Sequence, residues 1–378
     1  MRLVIDIRSL QDNYWTGVSQ YTWNLLKHIN KVTLEKPLLF TNSFKIRSLS
    51  KNIQNLGEVK NYGLPSRLAN FLWRLGLGST LDKVLKLQTG DLFWMTNPHF
   101  IRLGTGVKKV LTVHDLSPIL FPRFFNLKKR LWYGSEVKKI LGNLADIDLI
   151  FCVSESTKND LIKFNSTAAV KAKVVYPGID DIFMSICAPA DITGIKHKYN
   201  LQEKYLLMVG SIEPRKNHIL ALKAFSKLCE DEDFDHNLVI VGPLGWNYNH
   251  VFKFWNKMKH RERIKWLKYV PAEDLKAIYA GADLFLYPSH YEGFGFPVLE
   301  AMSQGIPVVA SAVSSLPEIC GPHVALLRPW RVDDWVRVIK ELLGSGRNAQ
   351  RTEDLIAHAR KFNWANSVKK MYNYIENI

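Results

Sequence analysis

The stretch Ser289-His290-Tyr291-Glu292-Gly293-Phe294-Gly295-Phe296-Pro297-Val298-Leu299-Glu300-Ala301-Met302-Ser303-Gln304-Gly305 leaves the chain few ways to fold. Ahead of it, Ala282-Asp283-Leu284-Phe285-Leu286-Tyr287-Pro288 is a short apolar run, the pattern of a strand covered on both faces. Two glycines alternate with two phenylalanines, so the backbone turns sharply and presents its N–H groups. Pro297 has its φ set for a first helical position, and Gly305 with Pro307 ends the helix. Strand, glycine loop and helix together aim free amides and the positive end of a helix dipole above the sheet, a seat for an anion. Glu292 precedes the glycines, and Glu300 follows in the expected first helical turn. Each carboxylate accepts hydrogen bonds from hydroxyls, so the pair suits a polyhydroxylated phosphate ester such as a sugar nucleotide. Taken singly, Glu300 is equally a helix-dipole partner and Glu292 a solvated loop residue.

A chain of 378 residues is long for one core and comfortable for two domains. No apolar run reaches the roughly 18 residues of a membrane span. The opening Met1-Arg2-Leu3-Val4-Ile5-Asp6 enters a strand with no h-region or cleavage site, so a cytosolic chain is expected. The four cysteines, Cys152, Cys187, Cys229 and Cys320, are scattered without metal-ligand spacing and read as reduced packing residues. The formal charge of +16 attracts polyanions: nucleic acid, an anionic membrane or phosphorylated substrates. No nucleic-acid module is readable, and a basic chain with 11 tryptophans leans towards a membrane face.

Further apolar runs, at residues 3–7, 91–95, 110–113, 148–153, 205–210 and 237–242, alternate with helical spacing, the pattern of α/β domains with parallel sheets. A polar loop at residues 12–17 leads into a helix from Val18 to Ile29. The run ending at Val113 is followed by His114-Asp115, at the strand edge where open α/β sheets place ligands. Ser154 caps the next helix. After the run 205–210 come Ser211-Ile212-Glu213-Pro214-Arg215-Lys216-Asn217, two adjacent cations that suit a diphosphate, arginine as a fork and lysine as a point charge. Two segments mix cations with aromatic and aliphatic residues. Residues 65–87 hold Arg67, Arg74, Lys83 and Lys86, and either lie on a bilayer or pack one face on the domain. Residues 122–139 hold Arg123, Lys128, Lys129, Arg130, Lys138 and Lys139, a surface facing lipid, a phosphorylated acceptor or water.

Glu292 to Glu300, continued by Ala301-Met302-Ser303-Gln304-Gly305-Ile306-Pro307-Val308-Val309-Ala310-Ser311, resembles the E-x7-E motif of retaining glycosyltransferases of family 4. The resemblance covers essentially the whole chain. It implies an α/β chain of the GT-B fold, two Rossmann-like domains facing across a cleft. Residues 1–182 would be the acceptor-side domain, residues 181–200 roughly the linker, and residues 200–364 the nucleotide-sugar domain, with a last helix at 365–378 packing back on the first. Carried over residue by residue, Glu292 meets the transferred sugar and Glu300 the ribose. The turn Gly293, Phe294, Gly295 and Phe296 contacts diphosphate and sugar. Lys216 and Arg215 neutralise the diphosphate, Arg215 standing in for an arginine that many relatives carry where this chain has Ser211. The base would lie near Tyr269 and Val270, although Lys268 replaces a usual glycine. His114 approaches the donor sugar, Asp115 orients that ring or meets the acceptor, and Gly17 lines the acceptor side, where many relatives have two adjacent glycines.

The same resemblance implies a metal-independent hexosyltransferase that retains anomeric configuration and needs no cofactor. Its donor is a GDP- or UDP-sugar, with GDP-mannose favoured because Glu-Pro-Arg-Lys-Asn and Thr-Val-His-Asp-Leu look like bacterial mannosyltransferases of surface polysaccharide assembly. The implied acceptor is a glycan or a polyprenyl-diphosphate-linked glycan, with peripheral contact to an anionic membrane and no nucleic acid. A basic nucleic-acid- or membrane-binding protein without transferase activity is the rival class; it would show steep salt dependence and no turnover of a sugar nucleotide.

Overall fold

The computed structural model describes residues 1–11, 15–42, 50–64, 66–75 and 77–378. Asp12, Asn13 and Tyr14 of the first polar loop lie outside the described residues, as do Pro65 and Gly76 and the side chains of Arg67, Arg74 and Trp132. The chain divides into two compact units. The first comprises Met1–Ile119, Leu131–Gly178 and Asn363–Ile378, and the second Leu120–Arg130 and Ile179–Phe362.

The first unit is built on seven parallel strands: β1 (Leu3–Asp6), β2 (Leu38–Thr41), β3 (Glu58–Asn61), β4 (Leu92–Met95), β5 (Lys108–Val113), β6 (Leu149–Cys152) and β7 (Ala172–Val174). Their order is β3-β2-β1-β4-β5-β6-β7. β1, β4 and β6 are buried on both faces, as their apolar runs require, with Asp6 at the end of β1 paired to Arg8. Thr16 precedes the helix Gly17–Ile29, and its amide donates to Ser19 Oγ at 3.3 Å. Tyr21 on that helix packs edge-on against Trp364 at 5.2 Å. Trp364 opens the last helix, Trp364–Glu376, whose Ser367 Oγ donates to the Tyr176 carbonyl at 2.6 Å, so the final residues complete the first unit.

The second unit holds β8 (Tyr205–Val209), β9 (Asn237–Val241), β10 (Ile264–Leu267), β11 (Leu284–Tyr287), β12 (Val308–Ser311) and β13 (Ala325–Leu327), in the order β10-β9-β8-β11-β12-β13. Both sheets therefore reverse strand order once, between β1 and β4 and between β8 and β11. A crevice opens at such a reversal because the connections leave in opposite directions.

Three placements differ from the sequence reading. The first unit ends at Gly178 rather than residue 182, and the expected linker is part of the second unit. It carries the helix Pro189–Lys198, whose Ile192 and Ile195 pack with Cys187, Ala277 and Ala280. Residues Leu120–Arg130 also belong to the second unit, although the chain on either side belongs to the first. Phe124 and Phe125 within them are buried and so form no surface. Phe124 stacks on His290 at 5.3 Å and Phe125 on Trp246 at 5.2 Å, while Trp246 Nε1 donates to the Phe124 carbonyl at 2.6 Å.

Candidate functional site

At the reversal of the second sheet, the loop after β8 meets the loop after β11. The approach of the neighbouring β9 loop is as close as backbone allows. Gly242 has φ 151°, and a Cβ there would stand 2.1 Å from the Gly210 carbonyl oxygen, so no other residue fits. Half-buried Ser211 follows directly. The next turn is a short 3-10 helix, Pro214–Lys216, ended by Asn217 in the left-handed region with φ 54°. Asn217 Nδ2 donates to the Pro288 carbonyl at 3.0 Å and the Pro329 carbonyl at 2.8 Å, which pins the cationic turn beside β11. His290 N–H donates to the Arg215 carbonyl at 2.8 Å and closes the junction.

That junction brings four charges together. Lys216 Nζ donates to Glu292 Oε1 at 2.7 Å and to the Tyr287 hydroxyl at 2.7 Å. Arg215 donates through one terminal nitrogen to Glu292 Oε2 at 2.7 Å and to the Tyr291 carbonyl at 2.9 Å, and through Nε to Glu213 Oε1 at 3.1 Å. Glu292 is 5% exposed and Lys216 8%. Burial pushes the Glu292 carboxyl up, but Arg215 and then Lys216 outweigh it and hold it at about 2. Burial lowers the Lys216 ammonium, against the pull of Glu292. Glu213 was not singled out as a site residue in the sequence; its signal was its place two positions before Arg215, between a strand and a helix.

The turn that follows is held from below. Ser315 Oγ donates to the carbonyls of Glu292 and Phe294 at 3.0 and 2.8 Å, and Glu292 N–H donates to Ser314 Oγ at 2.8 Å. Gly295, with φ 113°, caps the helix Phe296–Ser303, and a Cβ there would approach Leu316 Cδ2 to 2.9 Å. No described hydrogen bond takes the amide of Phe294 or Gly295. The helix starts at Phe296, so Pro297 is its second residue and Glu300 opens its second turn, not its first. Glu300 is consequently buried behind the loop, where Tyr279 Oη donates to its Oε2 at 2.8 Å. Burial raises its carboxyl to about 7 despite that bond. Tyr269, by contrast, is largely exposed and Val270 buried.

The remaining predicted residues belong to the first unit. His114 follows β5; its Nε2 donates to the Thr96 carbonyl at 2.8 Å, which leaves Nδ1 as the acceptor nitrogen of the neutral ring. Burial lowers its pKa, against the Thr96 bond. Tyr21 stands edge-on to the ring at 4.8 Å. Asp115 does not orient that ring by any described hydrogen bond. Its Oδ1 accepts from Ser117 N–H and Oγ at 2.8 and 2.6 Å and so starts the turn Ser117–Leu120. Gly17 is an exposed first residue of its helix.

Solved structures resemble the chain over its full length. HepE of Anabaena in complex with UDP-glucose has a TM-score of 0.76 at 16% identity, covering 100% of both chains. WaaG, a glycosyltransferase involved in lipopolysaccharide biosynthesis, has 0.74 at 16%, covering 99% of both. These likenesses, with two doubly wound parallel sheets, define the GT-B fold. Residues 15–182 match the family model Glycosyltransferase Family 4, and residues 192–362 match Glycosyl transferases group 1. O-antigen chain mannosyltransferase B of Escherichia coli is 29% identical over 370 residues, 95% of each chain. The serotype-specific mannosyltransferase WbdA of Escherichia coli is 28% identical over 267 residues, 69% of this chain but only 32% of that longer protein. The chain belongs to the family 4 glycosyltransferases.

Proposed function

We propose that this glycosyltransferase moves mannose from GDP-mannose, with retention and without a metal, to a glycan or polyprenyl-diphosphate-linked acceptor in surface polysaccharide synthesis. The observation that carries the reading is the buried contact of Lys216 and Arg215 with Glu292 at the mouth of the glycine turn. The mannosyltransferase relatives support the sugar, and the O-antigen chain on which one of them acts supports the acceptor class.

In this reading the donor diphosphate lies over the amides of Phe294 and Gly295, with Lys216 and Arg215 taking up the charge that grows as the sugar departs. The bond from C1 to the phosphate oxygen breaks, and the acceptor oxygen bonds C1 on the same face. The acceptor proton passes to the departing phosphate oxygen, giving nucleoside diphosphate and the extended glycan. Glu292 positions the sugar, Glu300 accepts from the ribose hydroxyls, and His114 offers Nδ1 to a sugar hydroxyl. Fixed cations and peptide dipoles here take the place of a divalent ion.

The test is release of nucleoside diphosphate from GDP-mannose and from UDP-sugars, with mannose-capped lipid-linked acceptors, with and without EDTA. Turnover with GDP-mannose, unaffected by EDTA and lost in Lys216→Ala with the fold retained, is expected. Turnover only with UDP-sugars overturns the donor assignment, and full activity of Lys216→Ala overturns the site.

A further inference from the structure

The reversal of the first sheet holds a buried charge pair that the donor side does not use. Asp6 ends β1, and two residues on Arg8 opens the 3-10 turn Arg8–Gln11. Arg8 Nε donates to both Asp6 oxygens at 2.9 and 3.0 Å, Nη2 donates to Oδ2 at 2.6 Å, and the Arg8 amide donates to Oδ1 at 3.1 Å. Asp6 is 1% exposed and Arg8 7%. The turn is fixed from two sides. Ile7 N–H donates to the Phe40 carbonyl at 2.9 Å, and Ser19 Oγ, on the helix Gly17–Ile29, donates to the Ser9 carbonyl at 2.8 Å. Thr96, just past β4, ties the pair to His114: its Oγ1 donates to the Asp6 carbonyl at 2.7 Å, and its own carbonyl takes His114 Nε2 at 2.8 Å. Arg8 and His114 thus stand at the same end of one sheet, joined through one residue.

One nitrogen of the guanidinium is left over. Arg8 Nη1 is buried and has no hydrogen-bond partner among the described residues. The Phe40 ring, 5.4 Å from the guanidinium carbon, offers it a face but no lone pair. A buried donor left unpaired is costly, and native structures keep few of them. The surroundings say what kind of atom completes it. Asp6 already balances the Arg8 charge through two of its nitrogens. His99, beside the pair, adds no positive charge, because burial and then Arg8 lower it to about 4 against the pull of Asp6. A phosphate would meet a pair with no net charge and would lose its own hydration on entering. A sugar hydroxyl is small, uncharged and carries two lone pairs, so it accepts from a fixed guanidinium N–H at little cost.

We infer that Arg8 binds the acceptor: Nη1 donates to one hydroxyl oxygen of the terminal sugar of the acceptor glycan, and Asp6 holds the guanidinium in place for it. The inference deepens the proposed transfer to a glycan and rests on that reading for the nature of the second substrate. It assigns the contact to a hydroxyl and not to the diphosphate of a lipid-linked acceptor.

The experiment is calorimetric binding of a mannose trisaccharide glycoside and its monodeoxy analogues to the full chain without donor. The chains compared are the wild type, Arg8→Gln, and Asp6→Asn with Arg8→Gln; the double variant removes both charges together, so no carboxylate is left buried and unpaired. Circular dichroism checks the fold of each. One deoxy position is expected to weaken binding to the wild type about tenfold or more, as a site built around a hydroxyl rejects the analogue that lacks it. Both variants bind the parent trisaccharide weaker by a similar factor and are indifferent to that deoxy position, so the two losses do not add. In turnover the acceptor KM of the double variant rises about tenfold or more, while the KM of the sugar nucleotide stays within about twofold. The inference is overturned if no deoxy position separates the wild type from the variants, or if the folded double variant binds the trisaccharide as well as wild type. It is equally overturned if the wild type binds no mannose oligosaccharide. Arg8-dependent binding of the trisaccharide with no turnover of GDP-mannose sinks the donor assignment alone.

Discussion

Glu213, Arg215, Lys216 and Glu292 balance to no net charge, so a diphosphate entering this network meets cations already engaged by carboxylates. Glu292→Gln keeps the side-chain shape and leaves the network one unit positive. The expected outcome is GDP bound about tenfold tighter by calorimetry, with kcat down by about a hundredfold or more because, in the proposed reading, the sugar loses its anionic contact. Equal losses of both would mean that Glu292 serves the fold alone. The two carboxylates also bend stability in opposite directions. Glu300 keeps its proton to about 7 when folded, against 4.5 ordinarily, so between those values the native state binds a proton that the unfolded chain has lost. Its contribution is complete below 4.5 and declines by about 3 kcal/mol as pH rises to 7. Glu292, held at about 2, contributes fully above 4.5 and loses that contribution as pH falls towards 2. Urea melts across pH are expected to peak near 4.5 from these two groups, Glu300→Gln flattening the upper limb and Glu292→Gln the lower. The glycine turn and the adjacent cations were legible because their chemistry is local in sequence. The ion pairing of Glu292 was not, since it joins residues 76 and 77 positions apart.

Elements were readable where both faces are buried. Apart from Asp6 closing β1 and Asn237 opening β9, the strands β1, β4, β6, β8, β9 and β11 are apolar runs, and burial on two sides demands that. At the sheet edge, β3 reads Glu58-Val59-Lys60-Asn61 and alternates exposed with half-buried residues, so its sequence carries no apolar run to find. Residues Leu120–Arg130 misled for another reason: aromatic and basic residues read as surface until a partner is known, and Trp246 lies 122 positions from Phe124. Here Lys129 Nζ stands 3.6 Å from the Trp246 ring centroid, Phe121 meets Tyr291 at 5.3 Å and Phe124 stacks on His290. The segment thus grips both the β9 loop and the residues that precede Glu292. Phe124→Ala removes a buried ring at a cost of about 3 kcal/mol or more. Because the vacancy lies beside His290, donor KM is expected to rise severalfold while kcat falls less. A thermal shift with unchanged KM would show that the grip does not reach the donor loop.

At the scale of the molecule, the first unit is finished by residues 363–378, far along the chain from its other parts. Trp364, Val368, Met371 and Ile375 are all buried within it, and Tyr21 Oη donates to Met371 Sδ at 3.7 Å. Burying four such side chains is worth about 6–12 kcal/mol at roughly 1.5–3 each, comparable to the whole stability of a domain of ordinary size. The second unit includes no residue after Phe362: its six strands lie between Ile179 and that residue, joined by Leu120–Arg130 from earlier in the chain. A chain stopped after Phe362 is therefore expected to keep the second unit folded and lose the first. Limited proteolysis would then spare a fragment beginning near residue 179 together with the segment Leu120–Arg130 packed on it, and digest most of the rest of what precedes it. The urea transition would keep the component of the second unit only, with a smaller m value as less surface is exposed on unfolding. GDP binding, which in the proposed reading draws on Arg215, Lys216 and the turn at Gly293, is expected to survive within a few-fold, while transfer is abolished with His114 lost from its place after β5. Survival of a single transition with the full chain's m value would show that the C-terminal helix is dispensable to the first unit. Loss of GDP binding in the truncated chain would show that the second unit does not hold its site unaided.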